Sequence, residues 1–178
     1  MHLVESGRLL PGKALDLGCG EGDNAIFLAT HGFDTTAVDY APTAIAKAKR
    51  KAAAAGATVK FVVDDLTRLR HVQGQFDLLV DYGTLDDLGK RHRDKYIQQV
   101  VPLSRPGGQF LLWCFEWELL AWESVLTSLL PLGKLALAPG EVDRRFGRHY
   151  DIECIGGERN IKGWPRGYAA YLMSRKEG

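Results

Sequence analysis

Short apolar runs alternate with helical patterns between residues 14 and 115. Each run has the length of a buried strand, and the segments between the runs place apolar residues at helical spacing. Gly32 and Gly56 stand where two of those helical patterns stop, as glycines commonly do at helix ends. The alternation predicts a parallel sheet covered by helices on both faces. The predicted strands are Ala14–Leu17, Asp34–Asp39, Val59–Val63, Phe76–Val80 and Gln109–Phe115, and the predicted helices are Asn24–His31, Pro42–Ala55 and Lys95–Val101.

The pattern changes in the last third of the chain. A short helix at Glu141–Phe146 precedes two strands, Tyr150–Ile155 and Tyr168–Ser174, which only a Gly-rich, polar link separates. Two such strands predict a hairpin, and hence an antiparallel edge strand on an otherwise parallel sheet. Because chains usually divide into domains only beyond roughly 250 residues, we expect residues 1–178 to form one domain. The predicted fold is a doubly wound, Rossmann-like α/β domain with a seven-stranded, mostly parallel sheet.

The charges of the chain nearly balance, with 23 Lys and Arg against 22 Asp and Glu and a formal net charge of +1. Proteins that bind nucleic acid through its phosphates usually carry a clear basic excess. One concentrated basic stretch runs from Lys90 to Lys95, and a solvated helix start explains it better than a phosphate-binding patch does. We therefore expect no nucleic-acid partner.

The three cysteines, Cys19, Cys114 and Cys154, are widely scattered. Their number and spacing predict neither a disulfide framework nor a zinc site, so we expect no metal and a reducing, cytoplasmic location. We find no secretory signal pattern and no uncharged apolar run long enough to cross a membrane, and we expect no membrane partner.

Acidic residues lie at or just after the ends of four predicted strands. These residues are Asp16, Asp39, Asp65 and Asp81. Ligands of a doubly wound sheet sit beyond the carboxyl ends of its strands, so the four carboxyl groups should share one edge. Carboxylates at that edge disfavour anions and favour a cation or sugar hydroxyl groups.

The turn after the first strand carries glycines at positions 18, 20 and 22, which gives G-x-G-x-G. The nicotinamide fingerprint is G-x-G-x-x-G, whereas Asp23 stands at the place of its third glycine, and Asp16 would repel phosphates. Asp39 follows Gly20 by nineteen residues, and a carboxylate there can accept both ribose hydroxyls. The combination favours a positively charged nucleoside over a dinucleotide.

Five motifs in order now identify a resemblance: the chain is similar to class I S-adenosylmethionine-dependent methyltransferases. The similarity covers residues 13 to about 118, and the tail matches more loosely. Among the family's branches, the run Asp81–Leu88 most resembles a loop of the thiopurine, tellurite and halide enzymes. The motifs are Leu15-Asp-Leu-Gly-Cys-Gly-Glu-Gly22, Ala37-Val-Asp-Tyr40, Val63-Asp-Asp-Leu66, Phe76-Asp-Leu-Leu-Val-Asp81 and Arg105-Pro-Gly-Gly108.

The resemblance implies S-adenosylmethionine as cofactor, S-adenosylhomocysteine as its product, and binding roles for residues at the strand ends. Asp16 and the turn of Gly18, Cys19 and Gly20 would lie beside the amino-acid part and the sulfonium. Asp39 would hold the ribose hydroxyls.

Further roles follow along the chain. Tyr40 would cover one face of the adenine, Asp65 would accept from its amino group, and the N–H of Leu66 would meet a ring nitrogen. The segment from Asp81 through Tyr82 to Gly83 would pass near the methionine portion.

The residues themselves leave alternatives open. Asp39 and Asp65 are also of the type that caps a following helix, and Asp64 could replace Asp65 as the adenine binder. Cys19 is better explained as a small packing residue than as a nucleophile, because nothing nearby in the sequence offers a His to activate it.

The motifs predict the acceptor side of the site less closely than the cofactor side. Four residues are candidates to face the substrate: Gly83, Asp86, Trp117 and Arg166. Asp86 and Asp87 stand where the related branches often have a His, so a branch-specific activity does not transfer. Asp86 could act as a base, hold a cationic substrate or cap the next helix. Trp117 could wall the pocket, and Arg166 could reach it or lie in a surface turn. No catalytic residue is assigned.

We expect methyl transfer to a small-molecule acceptor by in-line displacement. A non-catalytic protein that binds S-adenosylmethionine or S-adenosylhomocysteine is the alternative, and only the enzyme would consume the methyl donor. Base-methylating enzymes would show Asn/Asp-Pro-Pro-aromatic or Pro-Cys after the fourth strand, where this chain has Asp81-Tyr-Gly.

Only about twelve residues precede the first predicted strand, whereas the related enzymes usually carry one or two helices there that cover the cofactor. The sequence is a shortened form of a longer chain, or a partner subunit, such as a second copy in a dimer, closes the site, or the pocket is open. We expect this chain to turn over slowly unless something supplies the cover. Activity measured beside that of a version with added N-terminal helices checks this, and equal rates would refute it.

Overall fold

The computed structural model describes residues 2–118, 136–159 and 167–177, apart from the side chain of Lys90. The strands are β1 (Lys13–Leu17), β2 (Asp34–Asp39), β3 (Val59–Val63), β4 (Phe76–Tyr82), β5 (Ser104–Phe115), β6 (Tyr150–Arg159) and β7 (Gly167–Arg175). The helices are α1 (His2–Glu5), α2 (Asp23–Thr30), α3 (Pro42–Ala54), α4 (Thr84–Asp87), α5 (Lys90–Val100) and α6 (Glu141–Phe146), with a 3₁₀ turn at Val101–Leu103.

The seven strands form one sheet in the order β3-β2-β1-β4-β5-β7-β6. Strands β1 to β5 pair in parallel, while β7 pairs antiparallel with both β5 and β6. The β6–β7 hairpin thus forms one edge of the sheet, and the predicted α/β class and sheet composition are confirmed. The chain order reverses at β1, because β2 and β3 lie on one side of it and β4 and β5 on the other. Such a reversal opens a crevice at the carboxyl ends of the strands.

Side chains of the central strands alternate between two apolar layers, as the two-residue period of a strand requires. Leu15 of β1 and Leu79 of β4 pack into the layer that α5 and α6 cover. Ala14 and Leu78, one position earlier, pack into the layer that α2 covers. Burial on both faces explains why these strands appear in the sequence as continuous apolar runs. Within the described ranges, no helix has the length and apolar character needed to cross a membrane.

Helix α5 begins earlier than its apolar pattern predicts, at Lys90 instead of Lys95. Its first turns are polar, which led us to expect a solvated helix start. That expectation is wrong for Arg93, of which only 3% is exposed.

Arg93 is a hub that ties together three segments. Its Nε donates to the Leu88 carbonyl at 2.8 Å, and its Nη2 donates to the carbonyls of Asp86 at 2.8 Å and Ala136 at 2.9 Å. Its Nη1 lies 3.2 Å from Oε1 of Glu141 at the start of α6. Buried guanidinium groups require such saturation with acceptors. Arg93 therefore fixes the chain that follows β4.

We expect Arg93→Met to lower the free energy of unfolding by about 3 kcal/mol, because the buried Glu141 keeps only Arg145 as an ion-pair partner and three backbone carbonyls lose their donor. Arg91→Met is the matched control, since Arg91 is an exposed residue of the same helix, and should change stability by less than about 0.5 kcal/mol. Urea unfolding followed by circular dichroism measures both variants. Equal stability of the two variants would contradict the hub assignment.

Candidate active site

One cavity of about 910 Å³ lies at the crevice. It occupies what we call the rim, the edge of the sheet where the carboxyl ends of β1, β2, β3 and β4 meet. Its volume is near the upper end of the roughly 300–1,000 Å³ range of small-molecule sites. The lining residues are Gly18, Asp39, Tyr40, Asp64, Asp65, Leu66, Thr67, Tyr82, Gly83, Thr84, Asp87, Leu88 and His92.

The glycine turn after β1 depends on the absence of a side chain at Gly18. This residue has φ +74°, and a Cβ there would lie 2.0 Å from the hydroxyl oxygen of Thr84. That hydroxyl donates to the Leu17 carbonyl at 2.9 Å. Thr84 thus pins the end of β1 to the segment after β4. A positive φ alone disfavours other residues, and here the close approach excludes a side chain as well.

Asp39 holds the glycine turn from the end of β2. One carboxylate oxygen accepts the Gly20 N–H at 2.9 Å, and the other accepts the Ala41 N–H at 2.8 Å. The N-cap of α3 is Ala41, so Asp39 does not occupy the cap position. Each carboxylate oxygen carries two lone pairs, so Asp39 retains capacity for hydroxyl donors from the cavity.

The adjacent acids after β3 have different environments. Asp64 is buried, and its carboxylate accepts the N–H groups of Asp65, Arg70 and His71 at 2.7–2.9 Å. These bonds lower the pKa of Asp64 against the opposing effect of its burial. Asp65 is exposed, and one of its oxygens accepts the N–H and the hydroxyl of Thr67 at 2.8 Å. Asp64 therefore organises the loop, whereas Asp65 remains available to a ligand.

Asp16 and Asp81 form a buried acidic pair beneath the rim, each 1% exposed. Burial, with the Asp81 charge next in size, raises the pKa of Asp16 to about 7. Burial likewise raises the pKa of Asp81 to about 7, although Asp81 accepts the Tyr96 hydroxyl at 2.6 Å and the Thr84 N–H at 2.8 Å. Oδ2 of Asp16 has no hydrogen-bond partner among the described residues. A buried acceptor without a donor is costly, and a cationic ligand would supply one.

Three further residues named in the sequence analysis lie at the rim. Tyr40 is 80% exposed and Tyr82 is 59% exposed, while the buried Leu66 contributes to the cavity wall. Cys19 lies half-buried in the glycine turn. Burial and the nearby carboxyl groups of Asp16 and Asp39 raise the pKa of its thiol to about 12. A thiol that stays protonated is a poor nucleophile.

The candidates for the acceptor side divide into three groups. Gly83 lines the cavity. Asp86 is buried, and its carboxylate accepts the Phe115 N–H at 3.1 Å, so the neighbouring Asp87 is the acid that reaches the cavity. Trp117 is also buried, and its backbone N–H donates to the Leu137 carbonyl at 3.3 Å. It is not among the residues that line the cavity. Arg166 lies outside the described residues.

Sequence reasoning missed several residues of the lining, notably Thr84, Leu88 and His92. His92 belongs to the basic stretch at the start of α5, which composition alone could not distinguish from a solvated surface.

Similar proteins are known. A family model described as a methyltransferase domain matches residues 14–108. A 2-heptyl-1-hydroxyquinolin-4(1H)-one methyltransferase of Mycobacteroides abscessus is 34% identical over 117 residues, which are 65% of this chain and only 51% of that protein.

An uncharacterized methyltransferase of Schizosaccharomyces pombe is 32% identical over 116 residues, covering 65% of this chain and 79% of that protein. The crystal structure of an N-methyltransferase of Bradyrhizobium japonicum, in complex with S-adenosyl-L-homocysteine, superimposes with a TM-score of 0.75. That similarity covers 99% of this chain and 84% of the other at 15% identity, so it establishes the fold alone.

We expect Asp16→Asn to stabilise the ligand-free protein at pH 8 by about 2 kcal/mol, or roughly 4–8 °C in Tm, because the variant removes a buried charge. The native pKa of about 7 exceeds the unfolded value near 3.8. The unfolded chain therefore loses its proton first as the pH rises, and wild-type stability falls between about pH 4 and 7. The advantage of Asp16→Asn should grow from pH 5 to pH 7 and then level off.

Thermal unfolding across this pH range measures the effect. Asp34→Asn is the matched control, since Asp34 is an exposed acid at the start of β2, and it should not show this trend. A variant at Asp16 that is less stable than wild type at pH 8 would contradict the buried-charge interpretation.

Proposed function

We propose that this chain, which belongs to the family of class I S-adenosylmethionine-dependent methyltransferases, transfers a methyl group from S-adenosylmethionine to a small-molecule acceptor in its rim cavity. The match to the methyltransferase-domain family model confirms the family, the enzyme class and the cofactor that the motifs predicted. It makes catalysis the expected activity, and no observation favours a non-catalytic role. The acceptor and the role of each side chain belong to the proposal.

The observation that carries the proposal is the electrostatic character of the rim. Asp16, Asp39 and Asp81 converge beneath a turn that approaches the cavity without a side chain at Gly18. A phosphate-bearing cofactor would be repelled by these carboxyl groups, whereas a sulfonium and an α-ammonium group would be attracted. Oδ2 of Asp16 offers a buried acceptor for the N–H donors of the α-ammonium group. The residues therefore fit S-adenosylmethionine.

Each part of that molecule has a matching group in the cavity. Asp39 would accept the ribose hydroxyls with the lone pairs that Gly20 and Ala41 leave unused. Asp65, exposed beside Leu66, would accept from the adenine amino group, and the Leu66 N–H would meet a ring nitrogen. The amino-acid part would then lie between the glycine turn and Gly83, above the buried acids.

S-adenosylmethionine supplies a methyl group on a sulfonium, whose sulfur is a good leaving group. The protein's part is to hold the acceptor in line with that methyl group and to exclude water, and such alignment contributes roughly 7–11 kcal/mol. On the acceptor side, the cavity lining includes the titratable side chains of Asp87 and His92. Burial raises the pKa of Asp87, which suits a group that accepts a hydrogen bond or a proton from the acceptor.

A small-molecule acceptor agrees with two further facts. The Mycobacteroides abscessus relative is named for a heteroaromatic small molecule, and the nearly balanced charge of this chain does not favour nucleic acid.

The proposal also includes a single-domain organisation and a cytoplasmic location. The cysteines at positions 19, 114 and 154 are all free, which agrees with a reducing compartment.

We expect Asp39→Ala to weaken S-adenosylhomocysteine binding at least about tenfold, because a charged hydrogen-bond acceptor contributes about 1.5–3 kcal/mol. Asp34→Ala is the matched control, since Asp34 begins the same strand that Asp39 ends and is exposed. Isothermal titration calorimetry measures the affinity of both variants and of the wild type.

Two results would count against the proposal. One is a wild-type protein without measurable affinity for S-adenosylhomocysteine, and the other is an Asp39→Ala variant that binds like Asp34→Ala. Methyl-donor consumption with a panel of small-molecule acceptors then tests catalysis separately from binding.

A further inference from the structure

Aromatic rings form a continuous stack at the β4–β5–β7 side of the rim. Tyr82 at the end of β4 stacks on Trp113 of β5 with ring centroids 4.5 Å apart and an interplanar angle of 11°. Trp113 in turn stacks on Tyr168 of β7 at 5.9 Å and 22°, and Phe115 meets the Trp113 ring edge-on at 4.9 Å. Strand pairing explains the arrangement, because Tyr82 is in register with Trp113 and Phe115 is in register with Tyr168.

The outermost ring of this stack is exposed. Tyr82 remains 59% exposed although one neighbour already covers part of it, and it lines the rim cavity. The backbone carbonyl of Trp113, beneath it, accepts the Gly83 N–H at 2.9 Å. The Tyr82 ring therefore sits on a backbone that is fixed on both β4 and β5. A large, rigid ring that faces a cavity is a favourable surface for a flat ligand.

The position of Tyr82 separates it from the nucleoside end of the cavity. The residues proposed to bind ribose and adenine follow β2 and β3, whereas Tyr82 follows β4 and leans toward β5. The glycine turn after β1 lies between them. A nucleoside held over β2 and β3, with its amino-acid part over β1 and β4, therefore directs its transferable methyl group toward the Tyr82 side.

We infer that the Tyr82 ring, supported by Trp113, is the acceptor platform and that the acceptor is a planar aromatic molecule with an ionisable hydroxyl group. The inference rests on the proposed function. Asp87 and His92 lie in the same cavity and provide polar partners for the hydroxyl at the edge of the ring. In the transfer, the hydroxyl proton passes to the Asp87 carboxylate, an oxygen electron pair forms the O–CH₃ bond, and the breaking C–S bond leaves its electron pair on sulfur.

This inference changes the role of one residue. The motif resemblance placed Tyr82 beside the methionine portion of the cofactor, whereas the stack assigns its ring to the acceptor. Loss of the ring should then weaken acceptor binding more than cofactor binding.

The test uses 1-naphthol as a planar probe and decahydro-1-naphthol as its saturated counterpart. Binding is measured by calorimetry on the S-adenosylhomocysteine-saturated full chain. The wild type should bind 1-naphthol about tenfold more tightly than the saturated alcohol. Tyr82→Ala should remove most of that preference, Tyr82→Phe should keep it within about twofold because the ring remains, and both should keep their affinity for S-adenosylhomocysteine within about threefold.

Leu10→Ala is the control, since Leu10 is 71% exposed and is not part of the cavity lining, and it should leave both affinities unchanged. The inference is overturned if Tyr82→Ala binds 1-naphthol like the wild type, if the saturated alcohol binds equally well, or if 1-naphthol does not bind.

The two proposals fail differently. Absence of S-adenosylhomocysteine binding to the wild type refutes the proposed function. The probe series without that ligand then still decides whether Tyr82 is an aromatic platform.

Discussion

The architecture of the rim depends on the confinement of several carboxyl groups at the reversal point of the sheet. Asp16 and Asp81 are each 1% exposed and Asp39 is 8% exposed. Burial raises the pKa of both Asp16 and Asp81 to about 7, and repulsion from a neighbouring carboxyl group adds to the effect, from Asp81 at Asp16 and from Asp86 at Asp81, so the ligand-free site lies near neutral pH between protonated and charged states. A cation would relieve this repulsion, whereas an anion would increase it. The same electrostatic constraint thus limits the stability of the empty protein and selects its ligand.

The surrounding backbone is built to tolerate this arrangement. Thr84 links the end of β1 to the segment after β4 through one hydroxyl, and its N–H donates to Asp81. Arg93 then holds the carbonyls of Asp86 and Leu88 from below. Such bonds order the turns before a ligand arrives, which reduces the entropy cost of binding.

Sequence patterns predicted the features that depend on local order. The runs of β1 to β5, the glycine turn and the acids at the strand ends are each encoded by adjacent residues, so periodicity and spacing located them. Motif resemblance supplied the family and the cofactor. Sequence could not decide between Asp86 and Asp87, because one residue along a short helix turns a side chain from the cavity to the core. It likewise could not show that Arg93 is buried, because its acceptors come from residues 86, 88, 136 and 141.

The division between cofactor and acceptor follows from the strand order more than from any single motif. Residues that follow β2 and β3 have carboxylates and backbone groups suited to a nucleoside, while β4 and β5 contribute stacked rings. Tyr82 and Trp113 are thirty-one residues apart in the chain and become neighbours only because β4 and β5 pair in register. A separate surface for the acceptor therefore arises from the parallel pairing itself. Substitutions on that surface can change the acceptor without disturbing the acids that hold the cofactor, which is how one fold accommodates different substrates.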